Sequence, residues 1–285
     1  MPDTTVYVDA DSAAPALSRR HEAGAQSARG LLLTVLGEFV LPAGGVAWTS
    51  ALLAALGRVG VAEKATRQAL MRTSNAGWLT PEKMGRRTRW QLTQAATRLL
   101  TDGATRIYSF APVRDWDGNW IIVQARIPDS DRRARHVVRT RLAWAGYGAL
   151  APGVWISPHT AREHEAVRVL TEAGVAADAH VFVARRTGLS DVRAMVEAAW
   201  NLPVVGAEYD QFVAEFGGDG DNPPDVLARQ LELVHAWRRF PSLDPSLPRE
   251  LLPARWSGTE AARLFADHHE RWAPGASSEW KRLNA

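Results

Sequence analysis

Three observations in the sequence predict an α+β fold. The first third shows helical spacing three times over and then two short strand-like runs. The middle reads strand, helix, strand, strand, helix, strand. From Ser190 onward only helical spacing recurs. Strands and helices thus fall in separate blocks, not in the regular βα alternation of a parallel sheet.

The first block starts with Ser27–Leu41, where Leu31, Leu32, Val35, Leu36 and Phe39 lie at helical spacing and Pro42 and Gly44-Gly45 end the run. A second helix covers Trp48–Gly57, with Thr49 or Ser50 as the N-cap, and Gly57 and Gly60 mark the turn after it. A third helix, Ala62–Asn75, points Ala65, Ala69 and Leu70 toward a core and Lys64, Arg67, Gln68 and Arg72 elsewhere. Gly77 ends it. Trp78-Leu79-Thr80 and Thr88–Leu92 read as strands joined by a loop, Pro81–Arg87, and Thr93 caps a further helix through Leu100 that Asp102-Gly103 closes. This order is that of a winged helix-turn-helix, whose second helix enters a DNA major groove while the wing reaches the backbone or minor groove. Thr66, Arg67, Gln68 and Arg72, with Lys64 beside them, are the candidate base-reading face. Arg86, Arg87 and Arg89 are candidates for holding phosphates. Arg67 and Arg72 also suit a structural salt bridge, and the whole block suits a solvated helical hairpin. Charge favours the DNA reading: Ser27–Phe110 carries 11 Lys and Arg against 4 Asp and Glu, net +7, while the whole chain is only +3.

In the second block Trp116-Asp117-Gly118-Asn119-Trp120 is a turn and Trp120–Ile127 a strand. Pro128-Asp129-Ser130 starts a helix with Val137, Val138 and Leu142 inward. Tyr147–Leu150 and Gly153–Ser157 are strands around Pro152-Gly153, Thr160–Glu172 is a helix and Ala179–Ala184 the last strand. This is the split ferredoxin-like order. The helical candidates beyond it are Asp191–Trp200, Val204–Phe216, Asp225–Phe240, Thr259–Trp272 and a short last turn. Prolines from Pro241 to Pro253 predict an extended, semi-rigid connector. The expected division is therefore a disordered tail at 1–26, a winged helix domain at 27–110, a ferredoxin-like domain at 111–188 and a helical C-terminal domain at 189–285.

The 285 residues include no cysteine, which excludes disulfides, thiolate metal sites and a Cys nucleophile. Met1–Gln26 has no apolar run of the signal-peptide kind, and the longest apolar stretch, near Leu31–Leu36, is too short for a bilayer. A cytoplasmic protein without membrane contact is expected. No histidine pair has metal-ligand spacing, and no phosphate loop or Gly-x-Ser-x-Gly elbow is present. His268 is expected half-buried, and the 12 tryptophans mostly in cores or interfaces. On the Asp225–Phe240 helix, Glu232, His235 and Arg239 share a stripe with Arg238 beside it. His235, Arg238 and Arg239 could hold an anionic ligand. The same stripe would also serve as a solvated or interface salt-bridge face.

Several separated segments together resemble the PaaX family of transcriptional regulators. They are Gly45-x-x-Trp48, Thr66-Arg67 with Arg72, Gly77-Trp78-Leu79, Gly85-Arg86-Arg87, Gln91-Leu92-Thr93 and Trp116-Asp117-Gly118-x-Trp120. Gly146-Tyr147-Gly148 leading to Gly153–Pro158 follows, then Trp237-Arg238-Arg239 and Asp244-Pro245-x-Leu247-Pro248 through Leu251-Leu252-Pro253 to Trp256-x-Gly258. The resemblance covers Ser27 to the C-terminus. It implies a homodimeric repressor of an aromatic catabolic operon, typically phenylacetate degradation, that binds double-stranded operator DNA and leaves it on binding an acyl-coenzyme A such as phenylacetyl-coenzyme A. It implies no catalytic residue, metal or cofactor. Thr73 departs from the pattern, standing where the family usually has an apolar residue, and predicts a slightly different packing of its helix. The strand and helix around Trp120–Arg133 are also similar to a CRISPR-associated spacer-acquisition nuclease of ferredoxin-like fold, which binds metal through an aspartate ending its first strand. Here Val123–Ile127 contains no acid and ends beside Arg126, while Asp129 and Asp131 lie beyond Pro128 and suit a helix start. A metal-dependent nuclease and a scaffold without DNA specificity are the alternative readings.

Overall fold

The computed structural model describes residues 27–110, 116–189 and 191–285. The expected tail at Met1–Gln26 lies outside the described residues, as does the segment 111–115 that follows the expected first domain boundary. The chain is a mixed α+β protein. It forms two compact units that are not contiguous in sequence. The first comprises the chain to Tyr108 with Asp221–Ala236 and His268–Ala285, and the second Ser109–Gly220 with Trp237–Asp267. The segment 189–285, expected as one helical domain, is shared between them.

Helix α1 (Ala28–Val35) is capped by Ser27, whose Oγ accepts from the Gly30 N–H at 3.0 Å, and continues as a π turn over Leu36–Val40. Strand β1 (Val46–Trp48) leads into α2 (Thr49–Arg58) and then α3 (Glu63–Asn75). No side chain caps α2, contrary to the expectation for Thr49 or Ser50. The Thr49 hydroxyl instead donates to the Thr88 carbonyl at 2.9 Å and accepts from the Trp90 indole at 3.0 Å, which fixes the start of α2 to a strand. Strands β2 (Leu79–Met84) and β3 (Arg87–Leu92) are longer than expected and meet in a two-residue turn, Gly85-Arg86. Gly85 has φ 61° at the first turn position, where a primed hairpin turn needs it. The sheet order is β1-β3-β2, all antiparallel, so Pro81 sits on an edge strand and its missing N–H costs no inner bond. Helix α4 (Gln94–Tyr108) runs past Asp102-Gly103. At its end the Tyr108 hydroxyl donates to Glu38 on the π turn.

In the second unit the elements are β4 (Asn119–Ala125), α5 (Arg132–Trp144), β5 (Gly148–Ala151), β6 (Val154–Ser157), α6 (Glu163–Glu172) and β7 (Ala179–Arg185). The sheet order is β5-β6-β4-β7, again antiparallel throughout. Asp131 caps α5, its carboxylate accepting from the Ala134 N–H at 2.9 Å. One sheet face, with Ile121, Val123 and Trp155, packs on Val138, Leu142, Val169 and Leu170 of α5 and α6. Helices α7 (Val192–Ala199) and α8 (Leu202–Phe216) follow. Val196 and Leu202 cover the other face, at Trp120 and Ile156. Gly148 makes room there, since a Cβ on it would meet the Trp200 ring at 2.5 Å.

The last elements are α9 (Val226–Trp237), the single turn α10 (Phe240–Leu243) and α11 (Gly258–Leu283). The proline-rich connector is not a surface spacer. Asp244–Pro248, Leu251 and Leu252 are buried, and Leu247, Leu251 and Leu252 join the layer over Trp120. Asp244 accepts from the Tyr209 hydroxyl at 2.7 Å and from the Ser246 N–H at 2.6 Å, while the His159 Nε2 donates to the Pro245 carbonyl at 2.9 Å. Burial pushes the Asp244 carboxyl up to about 6, against the lowering effect of its two donors. Helix α11 passes through Pro274, where an end was expected near Trp272. Pro274 lies on the exposed side of the helix, while Trp272, Ala276 and Trp280 stay buried along one stripe on both sides of it.

The core of the first unit draws on distant sequence. Leu227 and Leu231 of α9 and Ala276 and Trp280 of α11 are buried with the leucines of α1 and α2, and Phe39 stacks on Trp280 at 5.8 Å. Asn284 accepts from the Trp48 N–H at 2.8 Å and donates to the Val46 carbonyl at 3.1 Å, which pairs the open edge of β1. Arg58, at the end of α2, bridges Asp225 at 3.1 Å and Glu279 at 2.5 Å. The Glu38 side chain is largely covered, and that alone would raise its carboxyl. Hydrogen bonds from His269 at 3.0 Å, Tyr108 and Gln230 at 2.8 Å outweigh that and hold it below the usual range. His268 is buried too, stacked on Trp272 at 4.3 Å. Among the described residues no helix is long and apolar enough to cross a membrane.

Candidate nucleic-acid interface

Helix α3 has two faces of opposite character. Thr66, Ala69, Leu70 and Thr73 are buried, at a spacing that forms one inward stripe. Lys64, Arg67, Gln68, Met71 and Arg72 form the exposed stripe on the other side. Thr66 is therefore corrected: it is 0% exposed, its hydroxyl turned to the Ala62 carbonyl at 3.4 Å, and it cannot reach a base from there. Thr73 is also fully buried, and its Oγ1 has no hydrogen-bond partner.

The exposed stripe differs residue by residue in how it is held. Arg67 is bound to Glu63 one turn back, through Nε at 2.9 Å and Nη2 at 2.7 Å. Lys64, Gln68 and Arg72 are exposed and, among the described residues, make no side-chain hydrogen bond or ion pair. Met71 is 54% exposed in the middle of this polar stripe. Its place was legible from helical spacing, since it follows Arg67 and Gln68 by one turn, but an apolar side chain gives no signal of DNA contact by itself.

The β2–β3 hairpin presents the second basic group. Lys83 and Arg86 at its tip are exposed and, among the described residues, unpaired. The Arg87 guanidinium lies 4.0 Å over the Trp48 ring, an attraction between a cation and a π face that holds it at the base of the hairpin. Arg89 is half-buried and bonded to Glu82, its cross-strand partner, at 2.8 Å. Lys83 was missed because the longer hairpin was read as a loop; pairing of Met84 with Arg87 brings it to the tip.

The three residues read as an anion-binding stripe do not lie in one compact unit. His235 belongs to the first, where its Nδ1 is 2.8 Å from the Thr34 hydroxyl. Arg238 and Arg239 belong to the second, and Arg239 is paired there with Glu208.

Three family models match the chain in sequence order: "PaaX-like protein" over residues 27–96, "PaaX protein central Cas2-like domain" over 113–196 and "PaaX-like protein C-terminal domain" over 200–282. Among curated relatives, the Escherichia coli (strain K12) protein named Transcriptional repressor PaaX is 33% identical over 262 residues, covering 88% of this chain and 82% of that one. Among solved structures, an uncharacterized protein, Rv0674, from Mycobacterium tuberculosis superposes with a TM-score of 0.62 at 22% identity, over 91% of this chain and 99% of that one. Its likeness is one of fold. With its three matched regions and the full-length relative, the chain belongs to the PaaX family.

Proposed function

We propose that this chain is a sequence-specific DNA-binding transcriptional repressor of a phenylacetate-type catabolic operon. In this reading α1 to β3 form a winged helix-turn-helix, with α3 in the major groove and the β2–β3 hairpin as the wing. The observation that carries it is the exposed stripe of α3, polar and cationic with no partner at Lys64, Gln68 or Arg72, in the same unit as a tight hairpin tipped by Lys83 and Arg86. Arg72 and Arg67 suit paired hydrogen bonds to guanine, Gln68 suits adenine, and Met71 suits a thymine methyl. Lys64, Lys83, Arg86 and Arg87 hold phosphates, which fix register without reading sequence. Arg89, bound to Glu82, stiffens the wing and contributes less to phosphate binding.

The residues from β4 to β7 act as a ferredoxin-like dimerisation module. Two recognition helices then meet half-sites about one DNA turn apart, roughly 34–36 Å. The Escherichia coli relative's name as a repressor and the family membership support the repressor reading. By the same family likeness the protein acts in the cytoplasm without catalysis, and an acyl-coenzyme A such as phenylacetyl-coenzyme A releases it from DNA. Arg238 and Arg239, which share one unit, are candidates for the ligand's anionic end. A phosphate at Arg239 would have to displace Glu208.

The test is a mobility-shift titration on the DNA upstream of the chain's own gene against a random duplex of equal length. Salt is varied and a panel of acyl-coenzyme A thioesters added. Tighter binding to the upstream DNA by about 10³-fold or more, with a log K against log salt slope of several, is expected. Equal affinity for both duplexes would reject sequence-specific binding. Specific binding that no thioester weakens would reject the effector alone.

A further inference from the structure

Among the described residues, strand β7 has nothing paired to its outer side, since the order β5-β6-β4-β7 leaves it at the edge. An edge strand offers a row of main-chain donors and acceptors, and proteins that stay single guard it with proline, a bulge, a short length or charges along it. β7 has no proline and no bulge, and its one permanent charge is Arg185 at the very end. It is seven residues long, Ala-His-Val-Phe-Val-Ala-Arg, and its pairing with β4 is regular throughout. Phe182 is 50% exposed and Val183 57%, although these two types are ordinarily buried and point to opposite faces.

We propose that a second copy of this chain pairs with β7, antiparallel and about a two-fold axis through Phe182, so that the two four-stranded sheets become one of eight. This rests on the dimer reading above and names its surface. Residues opposed in an antiparallel pair lie on the same face, so the numbers of two opposed residues must differ by an even amount. That restricts the axis to a residue, and three arguments select Phe182. It is the midpoint of Ala179–Arg185, so all seven residues pair. The two Phe182 rings then sit side by side and Val183 opposes Val181, both favourable cross-strand pairs. Asp178 and Arg186, which flank the strand and are both exposed, come opposite each other twice. Moving the axis to Val181 or Val183 shortens the overlap and puts Arg186 opposite Ala176 or His180.

The chain has no cysteine, so one introduced cysteine can cross-link only to a second copy. Opposed residues have Cα atoms about 4.5–5.5 Å apart, within the span of a disulfide. The full chain carrying Phe182→Cys, His180→Cys or Ala184→Cys is oxidised mildly and run without reductant, and the wild-type mass is measured by sedimentation. Phe182→Cys alone should cross-link to most of its mass. His180→Cys and Ala184→Cys should do so little alone and strongly when mixed, because each opposes the other. In parallel, Asp178→Arg and Arg186→Asp should each weaken the dimer at least tenfold, while their mixture restores it. A wild-type monomer at tens of micromolar would overturn both the dimer and this interface. A wild-type dimer with no preference for cysteine 182, and with both charge variants still dimeric, would place the interface elsewhere and leave the dimer standing.

Discussion

The outward face of α3 and the loop from Asp244 to Leu252 both combine polar and apolar residues within a few positions, and both belong to segments shared with the family. They differ in where the polar atoms end. On α3 the hydrogen-bonding groups of Lys64, Gln68 and Arg72 meet only solvent. In the loop every polar group of Asp244 is turned inward, to the Tyr209 hydroxyl and the Ser246 N–H, at less than one-tenth exposure. A group that meets water in the free protein can exchange it for a ligand at low cost, whereas a buried pair is part of the folding free energy. The first region should therefore control binding with little effect on stability, and the second the reverse.

The largest effect should come from breaking the loop. Asp244→Ala leaves the Tyr209 hydroxyl and the Ser246 N–H buried without an acceptor, and a loss of about 3 kcal/mol in unfolding free energy is expected by urea titration. Asp244→Asn keeps a hydrogen-bonding side chain and isolates the charge. The folded carboxyl is held up to about 6, above its ordinary 3.8, so the folded state binds more protons between these values. The stability of the wild type relative to Asp244→Asn should then fall as pH rises from about 4 to about 6, by an amount on the order of 2–3 kcal/mol. The comparison cancels carboxylates such as Glu38 that are held low and stabilise more as pH rises; a difference that rises instead would show the Asp244 carboxyl is not raised.

The next effect is on binding. Arg72→Ala should cost about 1–3 kcal/mol in operator affinity and relax base preference at one position, with the melting temperature unchanged. Arg67→Ala should cost less, because Arg67 must leave Glu63 before it can reach DNA. Unchanged operator binding by the Arg72 variant would remove α3 from the interface and with it the contrast between the two regions. A fall in melting temperature of more than a few degrees would show that Arg72 belongs with Asp244 instead.

Local spacing and long-range packing were unequally legible in the sequence. Helices read at Trp48–Gly57 and Ala62–Asn75 lie at Thr49–Arg58 and Glu63–Asn75, because a helical stripe and its glycine stops are local properties. The strands were read short, since Pro81 and the charges after it resemble a loop until the edge position that tolerates them is known. Thr66 was assigned to the outward face by its chemistry, although its spacing to Ala69, Leu70 and Thr73 puts it inside. The burial of Leu227, Leu231, Ala276 and Trp280 beside α1 and α2 had no sequence signal. Periodicity identifies an apolar face and is silent about which segment, nearly 200 residues away, will cover it. The same silence hid the division of His235 from Arg238 and Arg239.

A smaller effect tests the inner side of α3. The Thr73 hydroxyl is fully buried and unbonded, at the position where the family usually has an apolar side chain. Thr73→Val replaces it with a methyl group of similar size, and a gain of about 1 kcal/mol is expected, read as a higher urea midpoint with the same slope. Operator affinity should not change, since the substitution leaves the outward stripe untouched.

The smallest effect separates the hairpin from α3 within the binding surface itself. Arg86 stands at a two-residue turn with no partner, so its guanidinium is free to meet a phosphate but has no fixed direction in which to read a base. Each phosphate neutralised releases close to one counterion, and a contact of this kind adds about 0.9 to the slope of log K against log salt whatever the sequence. Arg86→Ala should lower that slope by about 1 for the operator and the random duplex alike, leaving their affinity ratio unchanged. Arg87→Ala should lower it by a similar amount and also cost a little stability, because its guanidinium rests on Trp48 in the free protein. A variant of Arg86 that changed the ratio of operator to random binding would show the hairpin reads sequence, and specificity would no longer belong to α3 alone.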